Sequence, residues 1–497
     1  MVSGARGVYY SRLWTQDRTP LSSTRPIGPA TLDSELRSPE EIGARIESEY
    51  GPHLAIMEER LGEALQAAQL DGAVVFAGDE KIVFRDDQAY PFKAEPYFKA
   101  WVPLTQAPGS FLRLSPGQRP MLVYKQLEDY WYEPPSDPEG YWTAHFDIRV
   151  VRTEADARKL SGAGPRWTTV GDAAVAAARH TPAGSARPKV NDAKFLAHLD
   201  YFRATKTRYE ILCMRAAQLI AVRGHQAVAA AFGPGVSEFE LQQLYVAATQ
   251  QREQDLPYSN IIALNEHAST LHYQNLRTRA PSPVRSLLID AGAEFNGYAA
   301  DITRTYAASA DDFDALIKSM ETLQQRVCAD VKAGVDYVAL HVLTHRLLAA
   351  VLREHELVKC SEDQAVATGI TRAFLPHGLG HLLGLQVHDA GGRQVDAAGK
   401  IRKPPPKDPY LRLTRTLQPG FVTTIEPGLY FIQPLLRAAL AKHENKLNRA
   451  KIERLLPLGG IRIEDDVEVT ADGHKNLTRD AFAALADSAP AARGRAR

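Results

Sequence analysis

The sequence predicts a mixed α/β (α+β) protein of two domains, on three observations. The chain has 497 residues, beyond the roughly 250–300 at which one hydrophobic core stops growing. Its first part alternates a long helical pattern with short apolar runs. Its second part sets long helical stretches between apolar runs that carry acids.

In chain order, residues 1–45 are polar and contain scattered proline and serine, so they are expected to be a disordered extension. Arginines without an acid before Asp17 leave a transit peptide as the alternative. The run "PEEIGARIESEYGPHLAIMEERLGEALQAAQL" then reads as helix, and "DGAVVFAG", "RPMLVYK" and "FDIRVVR" read as strands. Together they predict an N-terminal α/β domain over residues 46–195.

Turn-rich "TPAGSARPKVND" marks a boundary near 190–205. Beyond it Leu212, Ala216, Leu219 and Ile220 share one helix face. Gly233 and Gly235 end that helix, and Ser237 with Glu240 forms a capping box that starts the next. Helical segments near 311–332 and 338–356 separate the β-rich parts of a second domain, expected over 196–485. No short-period repeat is present. The tail, residues 486–497, carries too little apolar content to pack and is expected to be disordered.

Composition narrows the function classes. Lysine plus arginine equals aspartate plus glutamate at 59 each, which gives no basic surplus for nucleic acid or anionic membrane. A small-molecule substrate is expected. Cys213, Cys328 and Cys360 are too few and too dispersed for a disulfide framework or a cysteine zinc site. The N-terminus lacks the apolar block of a secretory signal, and no run approaches the roughly eighteen apolar residues of a membrane span. A cytoplasmic protein is expected.

The stretch "SLLIDAGAEFNGYAADITRTY" places Asp290 at the end of an apolar run and Asp301 shortly after an Asn-Gly hairpin signal. If Phe295 pairs with Tyr298, Asp290 opposes Thr303 and Asp301 opposes Gly292, all on one sheet face. The two aspartates are then diagonal neighbours, with α-carbons about 7–8 Å apart. Alone, either acid reads as a turn cap or a solvated residue. Together among Leu287, Leu288, Ile289 and Ile302 they would be buried like charges costing several kcal/mol each, which a cation offsets.

Two later apolar runs carry the same signature. In "FVTTIEPGLYF" the acid is Glu426, before Pro427 and Gly428, which are expected to end the strand. In "GGIRIEDDVEV" alternation sets Arg462 and Glu464 on one face and Ile461 and Ile463 on the other, with Arg462 placed to hold Glu464. The bland reading there is a surface salt bridge. "FLPHGLGHLLGLQVHDAGG" supplies His377, His381 and His388 in a glycine-rich stretch unsuited to a regular zinc helix. Four carboxylates and one imidazole make a hard, oxygen-rich donor set. It suits a pair of Mn²⁺ ions, with Co²⁺, Zn²⁺ or Fe²⁺ as alternatives, and such a pair can hold a bridging water as hydroxide at neutral pH.

These motifs resemble those of the bacterial Xaa-Pro dipeptidases (prolidases) of the pita-bread metallopeptidase superfamily. The resemblance lies in "YSNIIALNEHASTLHY", "LLIDAGAEFNGYAADITRTY", "LPHGLGHLLGLQVHD", "LRLTRTLQPGFVTTIEPGLYFI" and "GGIRIEDDVEV", and reaches "FRDDQAYPFKAEPYFKAWVP" in the N-terminal half. It implies a creatinase/prolidase-type N-terminal domain followed by a pita-bread domain with a curved antiparallel sheet covered by helices.

The resemblance further implies two metal ions held by Asp290, Asp301, His381, Glu426 and Glu464, with Asp301 and Glu464 bridging. Glu426 would move the water proton, while His377 and His388 would lie near the scissile amide, His388 as oxyanion donor. His272, Tyr258, Tyr337 and Leu411 would line the pocket, Arg412 would receive the substrate carboxylate, and Arg462 would support Glu464. Asp87 would reach towards the neighbouring active site of a homodimer. The implied reaction is hydrolysis of Xaa-Pro dipeptides. Rivals are an aminopeptidase acting on longer peptides, a promiscuous phosphotriesterase, and a non-catalytic binding protein of the same fold, against which all five ligand positions are retained.

Overall fold

The structure, a computed structural model, describes residues 39–172 and 188–488. The predicted polar extension before Pro39, most of the boundary region's turn-rich stretch and the tail beyond Ser488 lie outside the described residues. Contacts divide the chain into two compact units: residues up to Leu199 with Thr207–Ala216, and Asp200–Lys206 with Ala217 onwards. Among the described residues no helix is long and apolar enough to cross a membrane.

In the first unit, helix α1 (Pro39–Ala68) precedes a six-stranded mixed sheet. Because α1 starts at Pro39, residues 39–45 are helical rather than part of the extension; proline is tolerated in a first turn, where its missing N–H has no helical partner. The sheet order is β4-β3-β2-β1-β5-β6, from β1 (Gly72–Phe76), β2 (Phe111–Leu114), β3 (Met121–Lys125), β4 (Asp147–Val151), β5 (Trp167–Val170) and β6 (Lys189–Val190). Every residue of β1 is buried, which is why "GAVVF" is continuously apolar rather than alternating. Strands β2, β5 and β6 have no counterpart in the sequence expectations, β6 falling inside the stretch read as turn-rich. At four residues each, "FLRL" and "WTTV" are too short to establish a period.

The second unit carries short antiparallel ladders beneath helices. The predicted capping box starts α2 (Glu238–Thr249). Strands β7 (Ile261–Leu264) and β8 (Ser286–Asp290) lead into β9 (Glu294–Phe295), β10 (Tyr298–Ala299) and β11 (Thr303–Ala307). The hairpin register is the expected one: Phe295 pairs with Tyr298, and Asp290 with Thr303. Asn296 and Gly297 have φ of 50° and 88°, the left-handed turn that an Asn-Gly pair accommodates.

Between the two ladders of this hairpin, Ala291 N–H donates to Ile302 O at 3.0 Å and Ala300 N–H to Ala293 O at 2.9 Å, keeping the register. Gly292 lies opposite Asp301, and a Cβ there would fall 2.1 Å from the Ala300 carbonyl oxygen. Only glycine permits that approach.

The remaining strands are β12 (Val422–Ile425), β13 (Gly428–Tyr430), β14 (Gly460–Arg462), β15 (Asp465–Val469) and β16 (His474–Asn476), ordered β12-β15-β16 and β13-β14. The expectation that Gly428 helps end a strand needs correction. Pro427 has no N–H for the ladder, so β12 stops its pairing with β15, and Gly428 opens β13 opposite Arg462. Helices α3 (Asp312–Ala329) and α4 (Tyr337–Glu354) cover these ladders. Phe313, Met320, Leu340 and Leu348 join Ile425, Leu429, Ile461, Ile463 and Val467 in one apolar cluster. With Ile461 and Ile463 committed to that core, the pleat turns Arg462 and Glu464 the other way.

Candidate metal centre

Each acid of the predicted donor set sits where one short ladder gives way to another. Asp290 ends β8 and Asp301 precedes β11; Glu426 falls between β12 and β13, and Glu464 between β14 and β15. At such breaks the backbone leaves the pleat and adjacent carboxylates can converge. An isolated bridge between Thr303 and Glu464 joins the two halves, with Glu464 N–H donating to Thr303 O at 3.1 Å. His381 comes from an extended segment, not a helix, that runs along β12: Thr424 N–H donates to His381 O at 3.0 Å and Glu426 N–H to Leu379 O at 2.9 Å. The even spacing of His377 and His381 therefore acts as a strand period.

The five side chains come together. His381 Nε2 lies 3.5 Å from Asp301 Oδ2 and 3.6 Å from Glu426 Oε1. Donor atoms of Asp301, His381 and Glu464 all fall within 4.8 Å of one another. The Tyr258 hydroxyl is 2.8 Å from Asp290 Oδ1 and 2.5 Å from Asp301 Oδ1, so its single proton is shared between the aspartates. Asp290, Asp301, His381 and Glu464 are buried.

Arg462 supports this cluster differently from expectation. Its Nη2 donates to Asp290 Oδ2 at 2.5 Å, and its Nε donates to Thr303 Oγ1 at 3.2 Å. The Thr303 hydroxyl in turn donates to Glu464 Oε2 at 2.7 Å. The guanidinium thus grips Asp290 directly and reaches Glu464 through Thr303. At 5 % exposure Arg462 lies beneath the carboxylates rather than against a substrate.

Four contributors were missed by sequence reasoning. Thr303 is one, although the predicted register already placed it opposite Asp290. Tyr430 is another: its hydroxyl accepts from Arg462 Nη1 at 2.8 Å and lies 2.8 Å from His377 Nε2. With His377 Nδ1 2.7 Å from the Gly378 carbonyl, Nδ1 carries the ring proton and the Tyr430 hydroxyl donates to Nε2. Thr424 Oγ1 accepts from His381 N–H at 3.2 Å, and Asp466 Oδ2 accepts from Asp301 N–H at 2.8 Å. Even spacing of Tyr430 from Glu426 was the signal available for Tyr430.

The electrostatics test whether a cation fits. Burial pushes Glu426 up to about 7, with Asp301 and Asp290 adding to the rise against the fields of His381 and Arg462. Burial, then Asp301, Glu426 and Asp290, drives Glu464 well above the ordinary carboxylate range. His381 moves oppositely: burial disfavours its charge, but the Asp301 hydrogen bond and the fields of Glu426 and Asp301 hold it up at about 9. Four converging carboxylates with one buried arginine cannot all be ionised, so the donor set calls for added positive charge. His381 Nδ1 lies 3.0 Å from the Leu382 carbonyl, which fixes the proton there and leaves Nε2 to face the acids. The residues fit divalent metal.

The residues expected on the substrate side fall in different settings. His377 Nδ1 is 3.6 Å from Glu426 Oε2, and the His381 and His388 rings meet edge to face with centroids 4.5 Å apart. Burial, then the charges of His381 and Arg412, push His388 down to about 3. His272 is exposed and its field reaches both His377 and His388. Arg412 is exposed and has no ion-pair partner among the described residues, while its neighbour Leu411 is buried against Gly378. Tyr337 does not line an open wall: it is fully buried, and its hydroxyl donates to the Thr424 carbonyl at 2.8 Å. Asp87 lies exposed on a turn of the first unit.

Fold and donor set together are those of a metal-binding hydrolase. Residues 212–471 match Metallopeptidase family M24, and residues 48–201 match the description "Xaa-Pro dipeptidase, N-terminal domain". The Xaa-Pro dipeptidase of Stenotrophomonas maltophilia (strain K279a) is 46% identical over 439 residues, 88% of this chain and 97% of that protein. The Xaa-Pro dipeptidase of Xanthomonas axonopodis pv. citri (strain 306) is 47% identical over 442 residues, 88% of this chain and 99% of that protein. Among solved structures, zinc-substituted E. coli aminopeptidase P in complex with product is similar with a TM-score of 0.64 at 22% identity, covering 87% of this chain and 99% of that one. The chain belongs to metallopeptidase family M24, and its second unit has the pita-bread fold of that family.

Proposed function

We propose that this chain hydrolyses Xaa-Pro dipeptides and releases free proline, with two divalent ions held by Asp290, Asp301, His381, Glu426 and Glu464. The observation that carries this reading is the cluster in which Asp301, Glu426 and Glu464 gather at His381 while Asp290 joins Asp301 through the Tyr258 hydroxyl. The Xaa-Pro dipeptidases similar over nearly their whole length supply the substrate class. Such ions, when bound, make a water nucleophilic at neutral pH and polarise an amide carbonyl.

The chain's own residues then have separable tasks. Glu426 takes the proton of the attacking water and returns it to the proline nitrogen. Neutral His388 donates an N–H to the oxyanion. His377, held by Gly378 and Tyr430, borders the scissile amide and stays oriented towards Glu426. His272, Tyr258 and Leu411 shape the proline side. Arg412 receives the C-terminal carboxylate, which favours dipeptides, because a longer substrate presents an uncharged amide to that cation.

We also infer Mn²⁺ as the working ion from the oxygen-rich donors, a homodimer in which Asp87 approaches the neighbouring active site, and a cytoplasmic location. The domain limits 46–195 and 196–485 remain our assignment. A chelated sample reloaded in turn with Mn²⁺, Co²⁺ and Zn²⁺ and offered Ala-Pro, Leu-Pro, Ala-Pro-Ala and a phosphotriester tests the proposal. Release of proline from Ala-Pro at a rate well above cleavage of Ala-Pro-Ala, greatest with Mn²⁺, supports it. Preference for Ala-Pro-Ala would make the chain an aminopeptidase, and preference for the phosphotriester would overturn the peptidase assignment.

A further inference from the structure

A second group of ligand-type side chains stands apart from the five residues above. His341 and His345 are four residues apart on α4, so they share one face of that helix. They are 0 % and 1 % exposed, their rings meet edge to face with centroids 4.7 Å apart, and none of their four ring nitrogens has a hydrogen-bond partner. Buried polar atoms of this kind are normally paired, and a whole cluster left unpaired points to a missing ligand.

Asp408 faces both rings. Its Oδ1 lies 3.4 Å from His341 Nε2 and 3.9 Å from His345 Nε2. Both distances exceed the 2.7–3.2 Å range of an N–H···O bond. They approximate instead the edge of a coordination tetrahedron, about 3.4 Å when each donor sits roughly 2.0–2.2 Å from a central ion. Arg372 fixes the carboxylate, Nε donating to Oδ1 at 2.6 Å and Nη2 to Oδ2 at 3.1 Å.

We propose that His341, His345 and Asp408 form a third divalent-cation site in each chain, structural in role and of zinc type. Two imidazoles and one carboxylate favour Zn²⁺ or Co²⁺ over the harder ions suited to the carboxylate cluster, and leave a fourth position for water. The Arg372 charge weakens this site relative to that cluster. Leu411 N–H donates to the Asp408 carbonyl at 3.1 Å, so an ion at Asp408 ties the segment carrying Leu411 and Arg412 to α4. None of its three donors belongs to the five proposed ligands of the carboxylate cluster.

Chelated full-length protein reloaded with Zn²⁺ and analysed for bound metal after gel filtration tests the site. The wild type is expected to hold about three equivalents, the His341→Gln/His345→Gln variant about two, and Asp301→Asn to lose metal while the third equivalent persists. Diffraction from wild-type crystals at the zinc absorption edge should show an anomalous peak between the two imidazoles and Asp408, a readout that survives if the double variant fails to fold. No anomalous peak there, with water density alone, overturns the proposal. So does a folded double variant that binds as much zinc as the wild type. Failure of peptide hydrolysis with this peak present would count against the proposed reaction and not against this site.

Discussion

Tyr430 connects two parts of the centre that are distant in sequence: Arg462 beneath the carboxylates and His377 beside Glu426. Replacing it with phenylalanine removes one oxygen and leaves the ring in the core. Metal content should then be retained, while kcat/KM for Ala-Pro falls about 10–100-fold, the usual scale for losing a group that orients a ligand or catalytic side chain. Measured metal content together with steady-state kinetics checks both halves. Arg412 behaves differently, because it is exposed and has no ion-pair partner among the described residues. Arg412→Ala should raise KM for Ala-Pro by roughly 10–100-fold, equivalent to about 1.5–3 kcal/mol for a charge-assisted contact, with kcat little changed. An unchanged KM would remove it from substrate binding.

At the level of elements, the centre is made by strand interruptions. Gly292 permits the close approach that brings Asp301 opposite it, since a Cβ there would overlap the Ala300 carbonyl. Gly292→Ala should destabilise the fold by about 1–3 kcal/mol, as overpacking does, and impair metal binding with it; urea denaturation and metal analysis measure the two effects. The hairpin was legible in the sequence because one Asn-Gly signal and period-2 alternation fix the register of both aspartates. The grip of Arg462 on Asp290 was not. It depends on strands joined by long-range pairing, which alternation along one segment does not report. The same limit hid Tyr430, whose partners come from two other segments.

Across the whole molecule, buried charge should make stability depend on metal and pH together. In chelated protein, Glu426, Glu464 and Asp290 have folded-state values raised above their unfolded ones. As pH rises from about 4.5 to 7, the unfolded chain gives up these protons first, so the folded state holds more of them and stability falls. His381, raised to about 9, contributes stability that is present below its unfolded value and lost as pH rises through 9. The melting temperature of chelated protein should therefore drop between pH 5 and 8, and added Mn²⁺ should reverse most of that drop. Asp389 acts at the acid end. Burial opposes its ionisation, but Arg203 and Lys206 hold it below the usual carboxylate range, so its stabilisation is present above about pH 4 and lost as pH falls. The two-domain α/β architecture was readable from length and alternation, whereas β2 and β5 were too short to read.

The central claim is that the converging carboxylates exist to hold metal for peptide hydrolysis. Asp301→Asn tests it most directly, because Asp301 faces His381 and shares the Tyr258 proton with Asp290. Bound Mn²⁺ and Mn²⁺-dependent release of proline from Ala-Pro would be measured on folded wild type and variant side by side. The account predicts metal binding and turnover in the wild type and loss of both in the variant. A wild type that binds no divalent metal, or a variant that keeps full turnover, would contradict it.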